Sequence, residues 1–181
     1  MGKLFVISGS SGVGKGTVIN EFLHRHPEFR LSISCTTRGM REGEKNGVNY
    51  FFLSVDEFKN CINNNEFLEW AEFSGNFYGT KKVFVEDCLK NGENIILEID
   101  TKGALNVKKI MPEATLIFIA PPSLEELEAR LRGRHTETEE AIQKRLASIK
   151  SEIENSKHYD YVVVNDTVEN AVKRIEEITL K

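Results

Sequence analysis

Leu4-Phe5-Val6-Ile7-Ser8-Gly9-Ser10-Ser11-Gly12-Val13-Gly14-Lys15-Gly16-Thr17 decides the fold, because an apolar run passes through a glycine-rich loop into what reads as the first turn of a helix. Glycines free the backbone to curl its N–H groups around an anion, the helix adds the positive end of its dipole, and Lys15 adds a full charge. This is the reading of a phosphate-binding loop. The pattern G-x-x-x-x-G-K-[ST] is met at Gly9, Gly14 and Lys15, but Gly16 occupies the hydroxyl position and Thr17 follows one step later. In such loops that hydroxyl normally touches the Mg²⁺ that bridges the phosphates, so Thr17 or water would have to substitute. A ligand-free glycine turn is the simpler alternative. Against it stands the coincidence of Gly12, Gly14, Lys15 and the preceding strand.

Working outward, 181 residues suffice for one α/β core and are too few for two ordinary domains and a linker. The net charge of −4 argues against sequence-independent nucleic-acid binding, which needs a basic face to displace counterions. Cys35, Cys61 and Cys88 are widely spaced without a C-x-x-C pair, so neither a disulfide framework nor a zinc site is indicated and a reducing cytosol is expected. The first apolar stretch is far shorter than the ~20 residues of a membrane span and leads into the loop, so no membrane partner is expected.

Short apolar runs recur at Leu31–Ile33, Ile95–Ile99, Leu116–Ile119 and Tyr161–Val164. Continuous rather than alternating apolar strands indicate a parallel sheet covered by helices on both faces. Ser54-Val55-Asp56-Glu57 and Ser123-Leu124-Glu125-Glu126 predict capped helix starts, and Asn91-Gly92 predicts the end of a helix beginning near Thr80. Trp70 and the phenylalanines are expected in the core.

Two segments interrupt this alternation. The first, residues 38–79, contains Arg38 and Arg41 three apart, which together with the hydroxyls of Tyr50, Tyr78 and Ser34 could hold an isolated phosphate. Glu69 and Asp100 are acceptors beside apolar sequence, where a carboxylate needs a donor partner, and guanine offers adjacent N–H donors at N1 and N2. That chemistry points to a guanine nucleoside monophosphate. The second segment, residues 130–145, is rich in Arg, Thr and Glu and poor in apolar residues, as suits a mobile cover.

Thr36-Thr37-Arg38 with Arg41 and Glu44, Val48-Asn49-Tyr50-Phe51-Phe52, Glu66-Phe67-Leu68-Glu69-Trp70-Ala71, Tyr78-Gly79-Thr80, Ile96-Leu97-Glu98-Ile99-Asp100, Phe118 to Ser123 and Arg134 to Glu140 follow the glycine loop in order. Together they resemble the guanylate kinase family over essentially the whole chain. The resemblance implies an α/β fold: a P-loop three-layer parallel-sheet core (1–33, 81–129 and 146–181), a GMP-binding insertion (34–80) and a lid (130–145). It implies ATP with Mg²⁺ on Gly9, Ser10, Ser11, Gly12, Val13, Gly14, Lys15, Gly16 and Thr17, with Asn165 near the adenine. GMP would lie on Ser34, Arg38, Arg41, Tyr50, Glu69, Tyr78, Thr80 and Asp100. Lys15, Arg38, Arg130, Arg134 and Arg145 would be catalytic, and Arg132 would make only surface pairs. The implied reaction moves the γ-phosphoryl group of ATP to GMP, in the cytoplasm and in purine nucleotide metabolism.

Some readings remain open in the sequence. Asp100 either faces the guanine or organises magnesium-bound water, and Asn165-Asp166 reads equally as a plain turn. Gly16, Met40 and Lys102 depart from the usual Ser, Pro and Gln. Catalytically silent guanylate-kinase-like domains act as binding modules, and related kinases take AMP or dTMP. The intact loop, Lys15 and the lid arginines speak against the silent module.

Overall fold

The computed structural model describes residues 1–10, 12–133 and 138–181, without the side chains of residues 127, 130, 131 and 145. Its centre is a parallel sheet of β1 (Leu4–Gly9), β2 (Phe29–Leu31), β7 (Asn94–Glu98), β8 (Thr115–Ala120) and β9 (Tyr161–Val164), in the order β2-β7-β1-β8-β9. Adjacent side chains point to opposite faces of a strand, and both faces are covered. Val6, Leu97, Leu116 and Phe118 pack against α3 (Lys82–Lys90) and α4 (Thr101–Ile110). Phe5, Ile7, Ile96, Ile117 and Ile119 pack against α1 (Lys15–Arg25) and α7 (Val168–Thr179). Burial on both sides is why these strands read as unbroken apolar runs, and the expected three-layer α/β fold is present.

Two predicted boundaries shift. The strand expected at Leu31–Ile33 lies at Phe29–Leu31, because its ladder to β7 pairs Phe29 with Asn94 and Leu31 with Ile96. The helix expected from about Thr80 begins at Lys82, because the preceding strand continues to Lys81.

A second sheet projects from the C-terminal edge of the first. It contains β3 (Cys35–Thr36), β4 (Phe51–Phe52), β5 (Phe67–Phe73) and β6 (Asn76–Lys81), in the order β4-β3-β6-β5. β5 and β6 form a hairpin closed by Ser74 and Gly75, with φ of 51° and 75°, the left-handed turn that matches strand twist. Helix α2 (Val55–Asn63) starts with the predicted capping box, both halves of which form between Ser54 and Glu57. It inserts Phe58 beside Cys35 and Phe67, forming a small core separate from the main one.

Trp70 corrects the sequence expectation: it is 44% exposed, its ring edge on Phe77. β5 is an edge strand with a register irregularity between Phe67 and Glu69, which buries Leu68 and Glu69 and turns Trp70 outward. Helices α5 (Leu124–Gly133) and α6 (Glu139–Asn155) flank the second charged segment, and the amide of Glu126 donates to Ser123 Oγ at 3.0 Å. Among the described residues no helix is long and apolar enough to cross a membrane.

Candidate active site

The glycine loop leaves the end of β1 at the centre of the sheet, where a parallel sheet opens to ligands. Gly12 and Gly14 have φ of 79° and 86°, conformations that side chains disfavour. Gly14 caps α1 without a side-chain hydrogen bond, and no acidic residue lies in the first turn. The helix therefore presents N–H groups and Lys15 to an incoming anion with no carboxylate of its own first turn in competition. Asn165, at the end of β9, donates from Nδ2 to the Val13 carbonyl at 2.7 Å, so this expected adenine contact also ties the loop to the sheet. Ser10 is buried, and Ser11 lies outside the described residues.

Lys15 Nζ stands 3.5 Å from Glu98 Oε1. A Cβ on Gly16 would lie 3.8 Å from that oxygen, so the position lacking its hydroxyl faces Glu98. Thr17 is exposed on α1 and does not line the cleft described next. Among the described residues no three His, Cys, Asp or Glu side chains cluster to hold a metal alone.

A cleft of about 420 Å³ runs from Gly9, Lys15 and Glu98 to Ser34, Tyr50, Glu69, Tyr78 and Asp100. The structure thus brings five of the eight residues predicted for GMP into one space with Gly9 and Lys15, while Arg38, Arg41 and Thr80 lie outside its lining. Glu69 is only 8% exposed and accepts from Thr80 Oγ1 at 2.7 Å. Burial pushes its pKa up to about 7, and the neighbouring Asp100 charge adds to the rise. A Cβ on Gly103 would come within 2.7 Å of Glu69 Oε2, so any side chain there would push the carboxylate out of its present position. Asp100 lines the cleft while its Oδ1 accepts from the Gly103 amide at 2.7 Å, capping α4.

In the loop between β3 and β4, Arg38 forms a fork with Glu44: Nη2 to Oε1 at 2.7 Å and Nη1 to Oε2 at 3.0 Å. Nη1 also donates to the Gly39 carbonyl at 2.8 Å. Three of the five guanidinium N–H groups are used, and the two on the Nε side form the pair suited to a phosphate. Arg38 lies 5.4 Å from the Tyr50 ring centre, and the Tyr50 and Tyr78 rings are 6.1 Å apart. Burial raises the Tyr50 pKa, keeping its hydroxyl a donor. The Arg41 amide donates to Glu44 Oε2 at 2.8 Å, while its side chain is exposed outside the cleft.

Arg134 lies outside the described residues; Arg130 and Arg145 fall on α5 and α6, with their side chains outside the description. Arg132 pairs with Glu128 at 2.8 Å and with Glu139, as expected of a surface arginine. Sequence reasoning assigned no role to Glu98, Glu44 or Gly103. A carboxylate closing the apolar run Ile95–Leu97 was the available signal for Glu98. Nothing in the sequence announces Gly103, which lies against a side chain 34 positions away.

The family model described as guanylate kinase matches residues 1–181. The chain is 53% identical over 180 residues to a guanylate kinase of Bacillus cereus, covering 99% of this chain and 88% of the relative. It is 49% identical over 176 residues to a guanylate kinase of Prochlorococcus marinus, covering 97% and 95%. Its structure resembles the crystal structure of guanylate kinase from Anaplasma phagocytophilum with a TM-score of 0.80 and 35% identity, covering 99% of this chain and 87% of that one. With a phosphate loop at one end of the cleft and a buried carboxylate beside paired tyrosines at the other, the chain belongs to the guanylate kinase family, the kinases that phosphorylate GMP with ATP.

Proposed function

We propose that the protein performs this reaction by direct in-line transfer of the γ-phosphoryl group, with ATP on the glycine loop and GMP in the insertion formed by residues 34–80. The observation that carries this reading is the single cleft joining Lys15 to Glu69. The acceptor oxygen of GMP is already anionic, so no general base is required and catalysis is positioning with charge stabilisation. Lys15 holds the donor phosphates, while Arg38, Tyr50 and Tyr78 grip the acceptor phosphate, with Arg41 turning in from the same loop. Glu69, held by Thr80, accepts from guanine N1 and N2, with Ser34 and Asp100 completing the base site. Arg130, Arg134 and Arg145, on a lid over residues 130–145, neutralise charge as the phosphates approach; such arginines contribute ~10³ or more in rate.

Mg²⁺ fits the donor set: one carboxylate, Glu98, faces the Gly16 gap, and a hard cation that keeps several waters takes its other oxygens from the nucleotide. When bound, the ion offsets phosphate charge. Glu98 and Asp100 would orient its waters, and water would stand in for the hydroxyl that Gly16 lacks, since Thr17, the other candidate, lies outside the cleft. The free thiols of Cys35, Cys61 and Cys88 suit a reducing compartment, and the cytoplasm is the proposed location.

ADP formation with ATP, Mg²⁺ and, in turn, GMP, AMP, UMP and dTMP tests the reading. Turnover dependent on GMP is expected, together with a loss of at least about 100-fold in Lys15→Met. Preference for another monophosphate would remove Glu69 and Ser34 as guanine readers, and near-normal turnover of Lys15→Met would remove the role given to that lysine.

A further inference from the structure

Ser32 carries a buried hydroxyl that nothing among the described residues satisfies. It is 8% exposed, and its Oγ has no hydrogen-bond partner among the described residues. Buried polar side chains are normally paired, and an unpaired one carries a desolvation penalty that calls for a reason. Two other buried hydroxyls share this condition, Ser10 within the phosphate loop and Tyr159 against Phe118 in the main core. Ser32 alone of the three lines the cleft.

Its direction follows from the chain. Leu31, Ser32 and Ser34 line the cleft, whereas Ile33 and Cys35 line a separate cavity, so from Ser32 to Cys35 the chain alternates as an extended segment does. Ser32 therefore stands on the cleft side of the chain, its Oγ closed off from solvent in the free protein and a χ1 rotation away from the space at the base-reading end of the site. Its position along that space is equally defined. The Ser32 amide donates to the Ile96 carbonyl at 2.9 Å, which sets the residue beside the end of β7, where Glu98 faces Lys15. Two residues further on, a step of ~7 Å in an extended chain, Ser34 enters the lobe that carries Glu69 and Thr80. Ser32 thus stands between the guanine readers and the corner where the phosphates meet. In a nucleoside monophosphate the part between base and phosphate is the sugar.

We propose that Ser32 is a further binding residue for the acceptor nucleotide, its hydroxyl hydrogen-bonding a ribose hydroxyl of GMP. The inference rests on the placement of GMP proposed above. Ribose hydroxyls donate and accept, as serine does, so the pair forms whichever way the protons point. The free protein holds the orphan hydroxyl ready, and its penalty is relieved only when the nucleotide enters, which ties the contact to binding rather than to folding.

Ser32→Ala compared with the unaltered protein, using GMP, 2′-deoxy-GMP and 3′-deoxy-GMP as acceptors, tests this. With GMP the variant should lose about five- to tenfold in kcat/KM, the value of one hydrogen bond, mostly through KM. With one of the two deoxy analogues the variant and the unaltered protein should be equal, and that analogue identifies the ribose hydroxyl concerned. The thermal midpoint of the nucleotide-free variant should be no lower than that of the unaltered protein. Equal losses with all three acceptors would overturn the proposal by assigning the hydroxyl to the phosphate or to the fold. No loss with GMP, or a lowered midpoint, would overturn it as well. Failure of the unaltered protein to use GMP would instead remove the acceptor assignment itself, a result separable from any effect of Ser32→Ala.

Discussion

Glu69 shows how one buried group links recognition to pH. Its pKa, raised to about 7 from 4.5, means that folding favours the protonated form. The stability it contributes is fully present below about 4.5 and is lost as pH rises through about 7, an effect on the order of 3 kcal/mol at most. Guanine N–H donors would act in the opposite sense by favouring the carboxylate. GMP binding near pH 7 should therefore release about half a proton, detectable by calorimetry in two buffers of different ionisation enthalpy. KM for GMP should rise as pH falls below 7 while KM for ATP stays level. Glu69→Gln should remove that half proton and the matching part of the pH dependence, leaving only what the GMP phosphate, with its second pKa of about 6, contributes. Proton uptake, or no difference between the buffers, would contradict the assignment. Glu69 was legible in the sequence as a carboxylate beside apolar residues, but its hydrogen bond to Thr80 and its close approach to Gly103 were not, because both come from packing across elements.

At the scale of elements, the loop between β3 and β4 is organised by one side chain. Glu44 holds the Arg38 guanidinium by a fork and also receives the Arg41 amide, so both arginines are set by the same carboxylate. The fork leaves the Nε edge of Arg38 directed for use rather than neutralised, and it depresses the pKa of Glu44 itself. Glu44→Gln should raise KM for GMP by about tenfold through lost positioning, with KM for ATP unchanged. Steady-state kinetics varying each nucleotide separately checks this, and an improved KM for GMP would show that Glu44 competes with the phosphate instead. The spacing of Arg38 and Arg41 was visible in the sequence, whereas the exposure of the Arg41 side chain followed only from the loop's path.

At the scale of the molecule, the two sheets have separate cores. Phe118 belongs to the main core, and Phe58 belongs to the small one formed with Cys35 and Phe67. Truncating a fully buried phenylalanine costs about 3–5 kcal/mol, so the two losses should fall on different functions. Phe118→Ala should lower the thermal midpoint and weaken binding of both nucleotides. Phe58→Ala should weaken GMP binding while a non-hydrolysable ATP analogue still binds with nearly unaltered affinity, measured by calorimetry. Equal weakening of both nucleotides in Phe58→Ala would mean that the two sheets behave as one cooperative unit.

The sequence by itself determined the phosphate loop, the parallel core and the order of the elements. These depend on local chemistry: glycines where φ is positive, apolar runs where both faces are buried, and Ser54 with Glu57 where a helix begins. Tertiary structure alone decided that Trp70 faces outward, that Glu98 stands against Lys15 at the Gly16 gap, and that Ser32 is buried without a partner among the described residues. Each of these depends on what a neighbouring element places opposite the residue, through an edge strand with a shifted register, the adjacent end of a parallel strand, or a cleft closed by a second sheet. A linear sequence fixes what a side chain is able to do, and the packing of distant segments fixes what it meets.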